Sequence, residues 1–181
     1  MARIGILGAG SWGTALAILL HDNGHDVTVW SIHEKEVEML NTTRRHESKL
    51  PGIEIPEGIL FTTDMKETMS DKDVCVLAVP SPFIRSTCQK MKAYVRAGQI
   101  IVNVAKGIEE STLYTLTDII EEEMPYADAC VLSGPSHAEE VSRRLPTTCV
   151  VSARTRKTAE YLQSVFVSPV FRVYISPDML G

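Results

Sequence analysis

Short apolar runs alternate with longer amphipathic stretches through most of this chain. The runs at residues 4–7, 74–79, 100–104 and 129–132 are apolar almost throughout, which is typical of strands buried on both faces. Segments with helical character follow each of these runs. The alternation predicts an α/β fold of the Rossmann type, a doubly wound and mostly parallel sheet with helices on both faces.

Helix caps, turn residues and hydrophobic periodicity predict the secondary structure of the segments between these strands. A second strand is expected at residues 25–30, after Asn23 and Gly24, which are typical of a helix end. The other expected elements are a helix at 34–40, an irregular connection at 41–58, a strand at 61–63, a small helix capped by Asp64, helices at 84–95 and 111–123, a helix that begins at Ser136 with a Ser136–Glu139 capping box, and strands at 147–153 and 170–175 around a helix at 158–167.

The turn after the first strand carries glycines at positions 8, 10 and 13, in the pattern GAGSWG, and leads directly into an apolar helix. Gly8 permits a tight turn, Gly10 permits close approach of a pyrophosphate to the backbone, and Gly13 permits close packing of helix against strand. Phosphates bind well to the free N–H groups at the positive end of such a helix. The pattern predicts a dinucleotide-binding βαβ unit, with a purely structural glycine turn as the alternative.

Composition limits the number of domains and the classes of partner. A chain of 181 residues with 44% hydrophobic residues fits one large domain with a sizeable core, so residues 1–181 are expected to form a single dinucleotide-binding domain. The formal charge of −5 argues against a nucleic-acid partner, because nucleic-acid-binding surfaces are basic. Apolar stretches all fall short of the roughly 18 residues that a membrane span needs.

Cysteine usage and the N-terminus bear on location. The four cysteines form no Cys-x-x-Cys pair, and Cys75, Cys130 and Cys149 lie in strand-like runs where reduced core thiols are expected. They show no ligand-like clustering with histidine, so no metal site is expected. The first strand begins at once after the start of the chain, which leaves no room for a signal peptide. Together these features predict a cytoplasmic location.

Ligands of doubly wound sheets bind beyond the carboxyl ends of the strands, so the residues after each strand are the candidates. After the second strand, Ser31 stands where an NAD-preferring site usually has Asp or Glu. Without a carboxylate to repel a 2′-phosphate, this position leans towards NADPH, or towards tolerance of both NADPH and NADH. His33 and Lys35 are either phosphate contacts or solvated helix residues, and Glu34 is a candidate for the missing acid.

Three later segments place reactive side chains at the same edge of the sheet. Phe83 ends a turn stiffened by two prolines, where it either lies beside a cofactor or anchors the next helix in the core. Lys106 follows a buried strand, next to Gly107, and is either a cation that grips a phosphate or polarises a substrate oxygen, or a solvated surface lysine. His137 lies in a segment expected to begin a helix, and is either a general acid or base or a surface residue.

Together, these segments resemble the NAD(P)-dependent sn-glycerol-3-phosphate dehydrogenases of the bacterial type. The motifs that carry the resemblance are GAGSWGTALA from Gly8, VPS from Val79, KGIE from Lys106, SGPSHAEEV from Ser133 and FRVY from Phe171. They run in the family's order over essentially the whole chain. Such enzymes reduce dihydroxyacetone phosphate to sn-glycerol 3-phosphate, the precursor of phospholipid backbones, so the resemblance implies these small molecules as substrate and product.

The resemblance also implies roles for individual residues. Ser11 and Trp12 correspond to contacts at the pyrophosphate turn, and Phe83 to an aromatic residue beside the cofactor. Lys106 corresponds to a lysine shared between cofactor and substrate. The segment that closes over substrate and nicotinamide matches Gly134, Ser136 and Ala138. Position 137 is often another residue type in such enzymes, which lowers the expectation of an essential role for His137.

One departure from the family concerns the end of the chain. In the family a helical domain follows, and its first helix carries the lysine that acts as general acid, whereas this chain ends at Met179-Leu180-Gly181. The resemblance therefore implies the cofactor domain without the helical domain, with no catalytic residue inside the chain and little activity by itself. An exposed apolar face would then favour a homodimer or limited solubility. The alternatives are the cofactor domain of another two-domain dehydrogenase, acting on a hydroxy acid or a nucleotide sugar, and a stand-alone dinucleotide sensor.

Overall fold

The computed structural model describes residues 1–179, so the last two residues of the terminal segment compared above lie outside it. Its helices and strands are, in chain order, β1 (Arg3–Leu7), α1 (Ser11–Asp22), β2 (Asp26–Trp30), α2 (Glu34–Thr43), β3 (Arg45–His46), β4 (Leu50–Glu54), β5 (Leu60–Thr62), α3 (Met65–Met69), β6 (Val74–Leu77), α4 (Ile84–Met91), β7 (Ile100–Asn103), α5 (Leu116–Glu123), β8 (Asp128–Ser133), α6 (Ala138–Ser142), β9 (Thr147–Ala153), α7 (Arg156–Phe166) and β10 (Phe171–Ile175).

Eight strands form one sheet in the order β10-β9-β8-β7-β6-β1-β2-β5. Neighbouring strands are parallel except β8 and β9, which are antiparallel. In the centre, Ile6 of β1 lies in register with Val29 of β2 and Val76 of β6. Strand order reverses at β1, so a topological switch point lies between the carboxyl ends of β1 and β6. The predicted doubly wound, mostly parallel α/β sheet is confirmed.

Alternate residues of the central strands face two separate apolar layers. In β6, Val74 and Val76 pack in the layer that contains α1, α6 and α7, whereas Cys75 and Leu77 pack in the layer that contains α3, α4 and α5. Burial of both faces explains why these strands read as continuous apolar runs rather than as an alternating pattern.

All four cysteines are buried thiols, as predicted for Cys75, Cys130 and Cys149 but not foreseen for Cys88. Burial raises the pKa of the Cys75 thiol to about 12, and burial together with the nearby Glu123 carboxylate does the same for Cys88. Thiolates are therefore scarce at neutral pH, and these side chains act as small apolar groups.

The connection expected to be irregular at residues 41–58 contains an antiparallel hairpin instead. Its strands β3 and β4 pair Arg45 with Glu54 and His46 with Leu50. Leu50 and Ile55 are almost fully buried, and they pack the hairpin into the apolar layer that contains α1. The hairpin was missed because Pro51 and Gly52 interrupt its pattern, and because tertiary packing rather than local sequence holds it in place.

Two helix starts also differ from the prediction. The helix expected at 111–123 begins only at Leu116, because the Asp118 carboxylate accepts a bond from the Thr115 N–H at 2.9 Å and Thr115 Oγ1 accepts one from the Asp118 N–H at 3.2 Å. The capping box expected between Ser136 and Glu139 is wrong. Helix α6 begins at Ala138, and the Ser136 hydroxyl donates to the Gly134 carbonyl at 3.4 Å.

The other predicted elements are confirmed, with shifts at their ends. Asp64 caps α3 by accepting a bond from the Lys66 N–H at 2.8 Å. The helix expected at 84–95 ends earlier, at Met91, and the helix expected at 158–167 begins earlier, at Arg156, after the cap residue Thr155.

Candidate active site

A crevice of about 850 Å³ lies at the carboxyl ends of β1, β2, β6 and β7. Its walls are the glycine turn after β1, the residues after β2, the turn after β6, the end of β7 and the start of α6. Its volume is typical of small-molecule and cofactor sites, and its position at the switch point is where ligands bind in sheets of this kind. Most of the candidate residues therefore lie around one cavity.

The three glycines of the turn after β1 have different structural roles. Gly8 has φ +119°, and a Cβ added there would lie 2.8 Å from the backbone of Ala78. A Cβ on Gly13 would lie 1.9 Å from the Gly8 carbonyl oxygen, so only glycine allows α1 to pack this close to the turn. At Gly10 an added Cβ would meet no described atom within 4 Å. Gly10 therefore faces the open crevice and leaves the backbone accessible to a ligand.

The N-terminus of α1 is an anion-binding end. Its first intrahelical bond joins the Thr14 N–H to the Gly10 carbonyl at 2.9 Å, so the N–H groups of Ser11, Trp12 and Gly13 precede the helical ladder. Within residues 1–179 no side chain caps this helix. The helix dipole and these N–H groups favour a phosphate at this end of the crevice.

Ser11 and Trp12 both line the crevice, in the turn where the sequence placed them. The Trp12 indole N–H donates to the Val104 carbonyl at 3.1 Å. This bond ties the glycine turn to the end of β7 and commits the only polar group of the Trp12 side chain. Trp12 therefore shapes the turn, and its direct contact with a ligand remains a prediction.

The sequence suggested that no carboxylate lies at the end of β2, but the structure places one there. Ser31 is buried, and its hydroxyl donates to Glu36 Oε2 at 2.5 Å. Glu36 lies in the first turn of α2 and lines the crevice together with Ser31 and His33. The candidate for the missing acid, Glu34, is an exposed residue of α2 outside the described crevice, as is Lys35. The acidic group at this position is therefore Glu36, which the sequence reading overlooked.

Two residues of the β3–β4 hairpin hold the Glu36 carboxylate. Lys49 donates to Glu36 Oε1, and His46 Nε2 lies 3.3 Å from the same oxygen. Burial by itself raises the pKa of Glu36, but the bonds from His46, Lys49 and Ser31 outweigh it and lower that pKa to about 2. Glu36 is therefore a fixed negative charge in the crevice wall at neutral pH.

Phe83 and His33 lie on the crevice wall with accessible side chains. Phe83 is 58% exposed, so the interpretation of this residue as a core anchor is wrong. His33 is the N-cap residue of α2 and is exposed, and its contact with a phosphate remains a prediction. Lys90 of α4, which the sequence did not single out, lines the same wall.

Lys106 bridges the end of β7 to the segment after β8. Its ammonium lies 3.1 Å from the Gly134 carbonyl oxygen and 3.3 Å from that of Ser136, and the side chain lines the crevice. An ammonium carries three N–H donors, so one remains for a ligand after these two bonds. Gly107, at φ +120°, turns the chain directly after this lysine.

The segment 134–138 forms the wall opposite the glycine turn. Ser136, His137 and Ala138 line the crevice, whereas Gly134 lies behind them, where an added Cβ would come within 2.7 Å of the Thr148 carbonyl oxygen. Gly134 thus contributes its carbonyl to Lys106 and its small size to the packing on β9. His137 is exposed at the N-cap of α6, and within the described residues its side chain makes no capping bond.

A second group that the sequence reading missed supports the Lys106 loop. Arg85 of α4 makes two bonds of 2.7 Å to the Glu109 carboxylate and further bonds to Glu122 and Glu123 of α5. The bonds from Arg85 and Thr112 lower the pKa of Glu109 to about 2. The KGIE motif thus ends in an ion pair that anchors the loop to two helices, a long-range contact with no local sequence signal.

Within residues 1–179, no group of three or more His, Cys, Asp or Glu side chains has an arrangement that could hold a metal ion. Over the same residues, the helices all fall short of the length and apolar content that crossing a bilayer requires.

Comparison with known proteins identifies close relatives. The chain is 60% identical over its full length to a glycerol-3-phosphate dehydrogenase (NAD(P)+) of Agathobacter rectalis, of which it covers 54%. It is 55% identical to the protein of the same name from Fusobacterium nucleatum, again over the full chain and 55% of the relative. The chain thus spans about half the length of these curated relatives.

A solved structure agrees with these relatives. The crystal structure of glycerol-3-phosphate dehydrogenase from Coxiella burnetii has a TM-score of 0.93 and 30% identity to this chain, over 98% of this chain and 55% of that one. A family model described as NAD-dependent glycerol-3-phosphate dehydrogenase N-terminus matches residues 3–159. The chain belongs to this family of glycerol-3-phosphate dehydrogenase N-terminal domains.

Proposed function

We propose that this chain is the dinucleotide-binding part of an enzyme that interconverts dihydroxyacetone phosphate and sn-glycerol 3-phosphate, with NADH or NADPH as redox partner. The observation that carries the proposal is the position of Lys106, whose ammonium is fixed in the same crevice as the uncapped N-terminus of α1. One part of the crevice thus suits a pyrophosphate, and another offers a cation to a phosphorylated carbonyl compound.

The crevice fits a dinucleotide. Gly10 has no side chain and faces open space, which leaves room for a pyrophosphate near the N–H groups of Ser11, Trp12 and Gly13. The exposed ring of Phe83 offers an apolar surface for a flat heterocycle. When bound, the dinucleotide supplies or accepts the hydride of the reaction.

Substrate contacts are proposed for Lys106, Gly134 and Ser136. The remaining N–H donor of Lys106 would bind a substrate oxygen, and the two carbonyls that hold its ammonium would keep that donor in place. Gly134 acts through its carbonyl, which orients the lysine. Ala138 is buried at the crevice wall and, by the family resemblance, is proposed to contact the nicotinamide.

The proton donor of the reaction is proposed to lie outside these 181 residues. The relatives are nearly twice as long as this chain, which covers 54% and 55% of two of them. We propose that the remaining length forms the helical domain that the family resemblance implies, and that a lysine there acts as the general acid. The chain would then bind the cofactor and contribute part of the substrate site.

Three finer points remain predictions. The expected preference for NADPH rested on an end of β2 without a carboxylate, and it loses this premise because Glu36 contacts Ser31. A cytoplasmic location is tested by fractionation of cells that express the protein. Dimerisation is tested by light scattering of the purified chain.

Turnover measurements test the proposed function. The 181-residue chain and the longer protein proposed to contain it are each mixed with NADH or NADPH and dihydroxyacetone phosphate, and oxidation of the nicotinamide is followed by absorbance. The longer protein is expected to turn over at about 1–10³ s⁻¹, as enzymes typically do. The chain is expected to fall short by about 10²–10⁴-fold, the contribution of a general acid. Absence of turnover in the longer protein, or full turnover by the chain, would contradict the proposal.

A further inference from the structure

A charged cluster lies at the end of β2, where the crevice wall meets the β3–β4 hairpin. The Glu36 carboxylate accepts the Ser31 hydroxyl proton on Oε2 and the Lys49 ammonium on Oε1, and His46 Nε2 lies 3.3 Å from Oε1. The Glu36 side chain is 12% exposed, whereas that of Lys49 is 44% exposed. A negative charge is thus held in the wall, with a more exposed positive charge beside it.

His46 connects this cluster to the glycine turn. Its Nε2 lies 3.1 Å from the Ala9 carbonyl as well as beside Glu36, and because both neighbours are acceptors this nitrogen carries the proton. The ring is buried, and its Nδ1 makes no hydrogen bond within residues 1–179. His46 therefore joins the Glu36 carboxylate to the glycine turn that would hold the pyrophosphate.

We propose that Glu36 and Lys49 determine which dinucleotide the crevice accepts, with Glu36 as the acceptor of the adenosine 2′-hydroxyl and the balance in favour of NADH over NADPH. The inference rests on the proposed function, since it concerns the same crevice. In doubly wound sheets the acid that binds this hydroxyl stands at the end of β2, the position that Ser31 occupies here. The 2.5 Å bond from the Ser31 hydroxyl holds the Glu36 carboxylate beside that position.

Hydrogen-bond capacity supports Glu36 as the ribose contact. The Ser31 hydroxyl has one proton, which it donates to Glu36, and its oxygen already accepts from the His33 N–H at 3.2 Å. Ser31 therefore has little left to offer a ribose. Each carboxylate oxygen has about two acceptor sites, and Glu36 Oε2 takes only one bond in the described contacts, from Ser31.

Charge supports the preference for NADH. A 2′-phosphate would add close to two negative charges next to Glu36, which stays ionised at neutral pH. Lys49 offsets this repulsion in part, because its exposed side chain can turn from Glu36 to a phosphate at small cost. Repulsion by Glu36 and partial compensation by Lys49 together predict that the crevice prefers NADH but still binds NADPH weakly.

Binding titrations of the chain, read by nicotinamide fluorescence, test the inference without catalysis. Wild type is expected to bind NADH about tenfold or more tightly than NADPH, the range for one charge-assisted hydrogen bond. In Glu36→Gln the preference is expected to disappear or invert. In Lys49→Met, NADPH binding is expected to weaken further while NADH binding changes little. The matched control is Glu34→Gln, which removes the same charge from the same helix outside the crevice and is expected to retain the wild-type ratio.

The outcomes separate failure of this inference from failure of the proposed function. If neither dinucleotide binds the wild-type chain, the proposed function is wrong and the inference falls with it. If both bind but wild type prefers NADPH, or Glu36→Gln retains the wild-type ratio, the inference is wrong and the proposed function stands.

Should Glu36→Gln fail to fold, as judged by circular dichroism, competition on the wild-type chain takes its place. Adenosine 5′-monophosphate is expected to displace NADH better than adenosine 2′,5′-bisphosphate does. Equal or better displacement by the bisphosphate would overturn the inference.

Discussion

The Lys106 ammonium lies 3.1 Å from the carbonyl oxygen of Gly134, a residue 28 positions further along the chain. The bond joins the end of β7 to the turn after the neighbouring strand β8, and the Lys106 side chain lines the crevice. Because the contact is made to backbone rather than to a carboxylate, the lysine keeps its positive charge available to a ligand. The fold thus places a cation with a defined direction next to the proposed substrate position.

Replacement of Lys106 by alanine tests this role. In the longer protein proposed above, Lys106→Ala is expected to lower turnover by about two to three powers of ten, the usual loss for one preorganised contact to developing charge. The thermal unfolding midpoint should change little, since the side chain is exposed. The matched control is Lys35→Ala, which removes an exposed lysine outside the crevice. Near-normal kinetics in Lys106→Ala would make this residue an ordinary surface lysine.

Replacement of Gly13 is expected to lower the stability of the fold, and not only the affinity for a dinucleotide. A Cβ at this position would lie 1.9 Å from the Gly8 carbonyl oxygen, so α1 must shift away from the turn to accept one. Gly13→Ala is therefore expected to cost about 1–3 kcal/mol of unfolding free energy, as overpacking usually does. Urea denaturation measures this value, and a variant as stable as wild type would show that the turn can relax.

The bonds of Glu36 to Ser31, His46 and Lys49 are expected to stabilise the fold at neutral pH and to lose this effect in acid. The pKa of Glu36 is about 2 in the folded chain, against an ordinary value of 4.5. A carboxyl group with a lower pKa in the folded state stabilises the fold above its ordinary pKa, and loses that contribution as pH falls. Glu36→Gln is therefore expected to be less stable than wild type at pH 6, with the difference shrinking as pH falls from 4.5 towards 2.

Urea denaturation of both proteins across this pH range measures the difference. Glu34→Gln serves as the control, because Glu34 is exposed on the same helix outside the crevice and is expected to show little difference from wild type. A difference for Glu36→Gln that stays constant with pH would contradict the assignment of this carboxylate to a network that depends on its charge.

Much of the fold could be predicted from the sequence because its signals are local. Continuous apolar runs mark strands that are buried on both faces, and the spacing of Gly8, Gly10 and Gly13 marks the turn that joins β1 to α1. The same reasoning placed Phe83 and Lys106 at strand ends, and both line the crevice. Strand order then follows from the way parallel strands and crossover helices connect.

The parts that were missed depend on contacts between distant segments. Glu36 lies at the end of β2 because the first turn of α2 places its carboxylate beside Ser31. The hairpin residues His46 and Lys49 then stabilise the negative charge of this carboxylate. Nothing in the local pattern of residues 41–58 indicates that this segment packs beside the glycine turn. The late start of α5, at Leu116, likewise depends on a cap that outcompetes an otherwise helical pattern.

The central claim is that the glycine turn after β1 holds a dinucleotide, and Gly10 tests it most directly. Its added Cβ meets no described atom within 4 Å, so Gly10→Val is expected to fold normally while its side chain occupies the space in front of the turn. The measurement is titration of wild type and Gly10→Val with NADH and NADPH by nicotinamide fluorescence, with thermal unfolding of both proteins as the check on folding. The account predicts saturable binding to wild type, and a loss of about tenfold or more in affinity in a variant of unchanged stability. A folded Gly10→Val that binds both dinucleotides as tightly as wild type would contradict it.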